Sequence, residues 1–321
     1  MSDPQKTNPQ NPTWERELLE KIAMTALKEQ RAKRRWGIFF KLAALVYFVA
    51  LFAVFMDFGA TEKLTDGKRY TALVNLNGVI EPSGNSSAEK INEALQSAFE
   101  DKGTVGVVLR INSPGGSPVQ SGIIYDEIRR LRKKYPDTPL YVVVEDLCAS
   151  GGYYVASAAD KIFVDKASVV GSIGVLIDGF GFTGAMEKLG VERRLLTAGT
   201  NKGFLDPFSP QDEAQKEHAR KLLDEIHQQF ITVVREGRGD RLKETPELFS
   251  GLLWTGAQSV QIGLADDFGT VSSVARDLIK ASDIKDFSTK ENLAERFAKR
   301  LGSEVGESFS ARLFGKTGEM R

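Results

Sequence analysis

The chain has 321 residues, with 43 Lys and Arg against 43 Asp and Glu, and 41% of its residues are hydrophobic. This globular composition without net charge argues against a nucleic-acid-binding protein, because such proteins normally carry a basic excess. The single cysteine, Cys148, excludes an internal disulfide and a thiolate metal cluster. The two histidines, His218 and His227, fall in one predicted helix about 180° apart, so we expect them to share neither a metal ion nor a proton.

The N-terminal region is predicted to carry a membrane anchor. Residues 37–56 read GIFFKLAALVYFVALFAVFM, with Lys41 as the only charge, and about 20 apolar residues suffice for a helix to cross a bilayer. Lys and Arg are more frequent before this run than after it, so the positive-inside rule puts residues 1–36 in the cytoplasm and the rest of the chain on the far side. A cleaved signal peptide is the alternative, but its basic region would be unusually long. Residues 57–69 are predicted to be a linker.

From Tyr70 onward, strand-like and helix-like segments alternate. The strand-like runs are apolar over most of their length, which is typical of a sheet buried on both faces. The pattern predicts an α/β fold with mostly parallel strands. The predicted strands are 71–80, 105–112, 139–146, 161–165 and 168–177, and the predicted helices are 88–100, 120–134 and 210–238. Residues 280–321 are predicted to form a polar tail with helical character.

Two glycine-bearing turns follow predicted strands. One is Asn112-Ser113-Pro114-Gly115-Gly116, and the other reads CASGGYY from Cys148 to Tyr154. A strand that turns through glycine into a helix exposes backbone N–H groups, and a serine at that junction has the setting of an acyl-transfer nucleophile with an oxyanion hole. The simpler interpretation is that Ser150 is a helix N-cap. Neither turn matches G-x-S-x-G or a phosphate-binding loop.

A nucleophilic serine also needs a base. Both histidines lie on a charged amphipathic helix, where solvated positions dominate, so a lysine whose charged form is disfavoured by burial is the remaining route. The chain contains many lysines, and spacing alone does not select one of them.

Four motifs, in order and spacing, resemble those of the signal peptide peptidase A family of membrane-anchored serine proteases. They are LRINSPGG, DLCASGGYY, VVGSIGV and TGAQSVQIGLADDFG, and the resemblance covers about residues 70–279, the predicted protease domain. It is similar to the short, single-repeat form of the family. The resemblance implies the fold shared by Clp protease and the crotonases, in which βαβ units stack into a spiral.

The resemblance also implies roles for particular residues. Ser150 would be the nucleophile, Lys202 the general base, and Ser172 the residue that positions the lysine. The N–H of Gly151 and that of Gly115 or Gly116 would form the oxyanion hole, and which of the two glycines contributes stays open. The residues expected to bind the substrate backbone are Gly171, Ile173, Gly174 and Val175. No metal and no cofactor is expected.

Substrates, partners and location follow from the same resemblance. Apolar, signal-peptide-like substrates are expected, in a ring-shaped homo-oligomer in which Ser150 and Lys202 can come from neighbouring subunits. The expected location is the bacterial inner membrane, with the catalytic domain on the periplasmic side. The alternatives are a sister protease of the same fold with another substrate, a crotonase-like acyl-CoA-binding protein, and an inactive scaffold.

Overall fold

The computed structural model describes residues 12–57 and 68–289, and the chain divides into two units, Met1–Asp66 and Gly67–Arg321. Helix α1, Pro12–Asp57, is the element of the first unit. The predicted membrane span over residues 37–56 lies within α1, and its side chains from residue 51 onward are outside the described residues. Within the described residues, no helix is both long and apolar enough to cross a membrane. The predicted linker falls mostly outside the described residues as well.

The second unit is built on a mixed sheet that, within the described residues, has eight strands. These are β1 Tyr70–Asn77, β2 Thr104–Ser113, β3 Leu140–Ala149, β4 Lys161–Val164, β5 Val169–Gly171, β6 Leu253–Thr255, β7 Asp267–Phe268 and β8 Ile284–Asp286. The main path runs β6-β5-β3-β2-β1-β8, while β4 pairs with β3 and with β7. All pairings are parallel except that of β5 with β6. The predicted α/β class with mostly parallel strands is therefore confirmed.

Helices connect these strands. They are α2 Ala88–Glu100, α3 Pro118–Lys134, α4 Gly151–Ala156, α5 Thr183–Leu189, α6 Glu213–Arg238, α7 Gly256–Gln261 and α8 Val271–Ser273, which continues as a π-helical turn over Val274–Ile279. Sequence signals explain their starts: the side chains of Ser87, Ser117 and Asp212 accept backbone N–H groups at the first turns of α2, α3 and α6.

The central strands are buried on both faces, as their continuous apolar sequences predict. On one face, side chains such as Val74, Leu109 and Val142 join the main core together with apolar residues of the helices. On the other face, Leu73, Val108 and Val143 belong to a smaller cluster that includes Val274 from the π-helical turn. Because side chains alternate along a strand, neighbouring residues of one strand enter different clusters.

Several predicted bounds shift by one to three residues, and two predicted elements differ more strongly from the structure. The strand predicted over 168–177 ends at Gly171, because Gly171 has φ 115° and Ser172 has φ 49°, and neither value continues an extended strand. The predicted helical character of the tail is wrong for residues 284–286, which form β8 beside β1. Lys285 there donates to the Asp101 carboxylate, with 2.9 Å between Nζ and Oδ2. The tail from residue 290 onward lies outside the described residues.

A buried ion pair fixes the end of α6 to the sheet. The Arg238 side chain is fully buried, and its Nη1 lies 2.8 Å from Oδ2 of Asp266. Arg241 contacts the other oxygen of the same carboxylate at 3.0 Å, and the N–H of Ile162 also donates to it. Burial by itself raises the pKa of Asp266, but the hydrogen bond and charge of Arg238, with the further contacts, lower it below its ordinary value.

Candidate active site

Ser150 lies at the turn from β3 into α4, as the CASGGYY pattern predicts. Its φ of 51° and ψ of −124° are unusual for a residue with a side chain. The Ser150 N–H donates to the carbonyl of Gly171 at 2.9 Å, and its own carbonyl accepts from Tyr154 at 3.0 Å. The side chain makes no capping hydrogen bond to α4, so the N-cap interpretation is wrong. Its hydroxyl makes no hydrogen bond to any residue that the structure describes, so a strained serine with a free hydroxyl stands at the end of a central strand.

The loop after β2 packs directly against Ser150. A Cβ built on Gly115 would lie 2.6 Å from the nitrogen of Gly151 and 2.8 Å from Cβ of Ser150, so only glycine fits there. Gly115 has φ 95°, which also favours glycine. The N–H of Gly115 donates to Oγ of Ser113 at 3.1 Å, and that hydroxyl donates to the carbonyl of Gly78 at 2.6 Å. The Gly115 N–H is therefore already engaged.

Two other backbone N–H groups beside Ser150 are uncommitted. Within the described residues, the N–H groups of Gly116 and Gly151 make no hydrogen bond. Gly116 lies in the loop after β2 and Gly151 is the first residue of α4, but the two are close together, since a Cβ built on Gly151 would be 3.3 Å from the nitrogen of Gly116. Gly116 is held by Ile80, whose N–H donates to Gly115 and whose carbonyl accepts from Ser117, each at 2.8 Å. Of the two candidate glycines, the hydrogen-bonding pattern therefore favours Gly116 over Gly115 as a free donor.

Ser172 and Ser150 each follow the end of one of two paired strands. Ala149 pairs with Gly171, so the two serines follow directly on a pair of neighbouring residues of β3 and β5. The Ser172 N–H donates to the carbonyl of Leu252 at 2.8 Å, and Ser172 has φ 49°, close to the value at Ser150. Within the described part of the chain, the Ser172 hydroxyl makes no hydrogen bond.

The predicted substrate-binding residues differ in how accessible they are. Gly171 pairs with Ala149 on one side and with Leu253 on the other, so both of its strand edges are occupied. Ile173 is fully buried and joins the core. Gly174 and Val175 are half-buried, and they follow the end of the strand. Of the four predicted substrate-binding residues, only Gly174 and Val175 are both partly accessible to solvent and outside a strand pairing.

Lys202 lies in the long segment between β5 and α6. Its side chain is exposed, and its N–H donates to the carbonyl of Gly199 at 3.1 Å. The neighbouring residues contact the start of α6, because the N–H of Leu205 donates to Oε1 of Gln215 at 3.2 Å. No hydrogen bond described for residues 68–289 joins Lys202 to Ser150 or Ser172. Within the described residues the structure thus brings the segments of Ser150, Ser172, Gly116 and Gly151 together, and it shows no hydrogen bond from Lys202 to either serine.

Two neighbours of the site were missed by the sequence analysis. The Ser113 hydroxyl accepts a hydrogen bond from the Gly115 N–H. The position of Ser113 just before the Pro-Gly-Gly turn could have indicated this role. His227, on α6, has Nε2 3.1 Å from the carbonyl oxygen of Ile173, although 54 residues separate the two in sequence.

Cys148 is fully buried two residues before Ser150, and burial raises the pKa of its thiol, which opposes a thiolate nucleophile at this position.

The fold and the site together describe an α/β protein with a strained serine between a central parallel strand and a short helix. The family model described as Peptidase family S49 matches residues 132–285. A putative signal peptide peptidase SppA of Enterococcus faecium is 33% identical over 259 residues, 77% of this chain and 75% of that one. A putative protease of Methanocaldococcus jannaschii is 31% identical over 73% of this chain and 76% of its own length. The chain belongs to peptidase family S49, which confirms the resemblance to signal peptide peptidase A.

Other similarities are partial. A protein of Brucella abortus named Na(+)/H(+) antiporter NhaA is 45% identical over 209 residues, which are 64% of this chain. The chain spans only 28% of the length of that relative. A solved ClpP1 mutant from Listeria monocytogenes is similar with a TM-score of 0.38 and 16% identity, over 61% of this chain and 90% of that one. That score does not establish a shared fold, and the Clp-like spiral stays a prediction.

Proposed function

We propose that the chain is a serine endopeptidase in which Ser150 is the nucleophile and Lys202 the general base. The observation that carries the proposal is the arrangement around Ser150: its hydroxyl and the nearby N–H groups of Gly116 and Gly151 make no hydrogen bond in the part of the chain that the structure describes. Such donors stabilise the oxyanion that forms when a hydroxyl attacks a carbonyl. Membership of a peptidase family supports the same chemistry.

The proposed reaction has two steps. Nζ of Lys202 takes the hydroxyl proton of Ser150 while Oγ bonds to the peptide carbonyl carbon, and the negative oxygen accepts from Gly116 and Gly151. The C–N bond then breaks, and Lys202 returns the proton to the leaving amine. In the second step water attacks the acyl carbon and loses a proton to Lys202, the ester bond between that carbon and Oγ of Ser150 breaks, and Lys202 returns the proton to Oγ, which releases the carboxylic acid product and regenerates the free enzyme. Ser172 is proposed to hold the lysine amine in place during both steps.

We propose that Lys202 completes the site of a neighbouring copy of the chain. A lysine acts as a base where burial disfavours its charged form, yet the Lys202 side chain is exposed in a single chain. The segment that carries it also exposes large apolar side chains: Leu176 is 77%, Phe180 77% and Leu196 97% accessible. Surfaces of this kind are typical of protein interfaces. A ring-shaped homo-oligomer would bury these residues and Lys202 together.

Apolar peptides are the proposed substrates. Val79, Val119 and Ile123 are 53%, 68% and 45% accessible, and all three lie in the segments that flank the Gly115–Gly116 turn. Val79 precedes Ile80, which pairs with Gly116, and Val119 and Ile123 are four residues apart on one face of α3. An apolar substrate side chain next to the cleaved bond would cover such a surface. The particular peptide, and the predicted inner-membrane location with a periplasmic catalytic domain, stay predictions from the sequence.

The test uses the 321-residue chain as wild type, Ser150→Ala and Lys202→Ala, with an apolar peptide ester as substrate. Each substitution is expected to lower kcat/KM by at least about a thousandfold, as losses of catalytic dyad residues do. Lys243→Ala, at an exposed lysine outside the site, is the matched control and should retain wild-type kinetics. Retained activity in Ser150→Ala would contradict the proposal, and retained activity in Lys202→Ala would exclude that lysine as the base.

Mixing the two inactive variants tests the shared site. If Ser150 and Lys202 come from different copies, some mixed sites contain both residues, and random assembly restores about a quarter of the wild-type activity. If both come from one copy, mixing restores nothing. Each variant mixed with itself under the same conditions is the control.

A further inference from the structure

The backbone around Ser172 is held at three successive residues. The carbonyl of Gly171 accepts from Ser150, and the N–H of Ser172 donates to Leu252. The third contact is at the carbonyl of Ile173, whose oxygen lies 3.1 Å from Nε2 of His227. The first two contacts are between backbone groups, and His227 supplies the third from a side chain. The His227 contact is therefore the one of the three that a side-chain substitution can remove without altering the main chain.

The direction of the His227 contact follows from its chemistry. A carbonyl oxygen only accepts, so Nε2 of His227 must carry the hydrogen that it donates to Ile173. The ring is half-buried on α6, and the helix is itself fixed by the buried Arg238 at its end. Ile173 is fully buried in the main core. Its side chain is thus packed in the core while its carbonyl contacts a side chain of α6.

We propose that His227 is a positioning residue that keeps Ser172 in its strained conformation. Ser172 has φ 49°, a value that costs free energy in a residue with a side chain and persists only where the surroundings enforce it. Loss of the His227 donor would let the segment relax towards an ordinary φ and would shift the Ser172 hydroxyl from its present position. The inference rests on the proposed function, because it assumes that Ser172 positions the base.

Kinetics of the 321-residue chain test the inference. His227→Leu removes the donor, while His227→Gln keeps an amide N–H at a similar reach. We expect His227→Leu to lower kcat about tenfold, the value of one hydrogen bond, with little change in KM, and His227→Gln to restore most of the loss. Gln229→Leu, at an exposed position of α6, is the matched control. Melting temperatures of all variants separate a local effect from loss of the fold.

The outcomes distinguish this inference from the proposed function. Wild-type kcat in His227→Leu, or an equal loss of kcat in the Leu and Gln variants, would overturn the positioning role while leaving the Ser150 assignment intact. A second readout does not depend on activity: nitrogen-15 spectra of the histidine rings should show His227 with a proton on Nε2. A ring protonated only on Nδ1 would refute the contact itself, whereas an inactive wild type with the expected spectrum would count against the proposed function alone.

Discussion

The substitution Gly115→Ala should damage both the fold and the proposed catalysis. The new methyl group would stand 2.6 Å from the nitrogen of Gly151 and 2.8 Å from Cβ of Ser150, so backbone on both sides must move. Left-handed φ at Gly115 costs alanine about 1–3 kcal/mol, and forcing the extra carbon into a packed site costs about 1–3 kcal/mol more. We therefore expect the free energy of unfolding to fall by about 2–6 kcal/mol.

That loss is measurable as a lower melting temperature. At about 2–4 °C per kcal/mol for a unit of this size, Tm should fall by about 4–24 °C, read by circular dichroism. Displacement of the Gly151 N–H should in addition lower kcat about a hundred- to a thousandfold at temperatures where the variant is folded. The two readouts are independent, because kcat is measured on the folded population.

Gly122→Ala is the matched control for this experiment. Gly122 lies within α3, has no atom within 4 Å of a built Cβ, and should be neutral or slightly stabilised by alanine. If Gly115→Ala kept wild-type Tm and wild-type kcat, the close approach of the two loops around Ser150 would be refuted. A normal Tm with a reduced kcat would instead show that the turn can accept a side chain but that the donors had moved.

Three further predictions concern stability and assembly. Arg238→Met leaves the partly buried Asp266 carboxylate with fewer partners and should lower the free energy of unfolding by up to about 3–5 kcal/mol in denaturant titrations. Because its contacts lower the pKa of Asp266, the stability they supply should be complete above about pH 4 and be lost as the pH falls through the lowered value, as acid melting curves would show. Leu196→Glu places a charge on the exposed apolar segment and should shift the proposed oligomer to monomers in sedimentation velocity.

A specific result would contradict each of these predictions. An Arg238→Met chain as stable as wild type would mean that the ion pair is replaceable by packing alone. If Asp266→Asn left the midpoint of acid unfolding unchanged, the Asp266 carboxylate would not contribute to the pH dependence of stability. If Leu196→Glu sedimented as the wild type does, this segment would not form the proposed interface. Leu222→Glu, at a 39% exposed position of α6, is the control.

Much of the sheet and its helices could be predicted from local pattern. Helix α2 has the predicted bounds because its apolar spacing and its Ser87 cap both act within a few residues. Ser150 and its glycine turn could be located for the same reason, since a strand, a glycine turn and a helix follow one another directly. The early end of β5 could not be predicted, because we infer that positive φ at Ser172 depends on its hydrogen bond to Leu252 and on the contact of the Ile173 carbonyl with His227 rather than on its own residue type.

Contacts between distant parts of the chain account for the other differences. The contact of His227 with Ile173 depends on how α6 packs, and helical spacing alone indicated only a solvated face. Strand β8 is three residues long and polar, so nothing in its composition distinguishes it from a tail. The exposed Lys202 was indicated by family resemblance, and neither its local sequence nor its surroundings in a single chain would have selected it.

The pairing of β8 with β1 has a consequence for how the chain is made. The N–H of Asn75 in β1 donates to Oγ of Ser288, 213 residues later, so this edge of the first strand stays open until residues 284–288 have left the ribosome. Contacts of such long range slow folding, and an unpaired edge strand invites association with other chains in the meantime. A nascent chain stalled before residue 284 should therefore need a chaperone more than the finished one does.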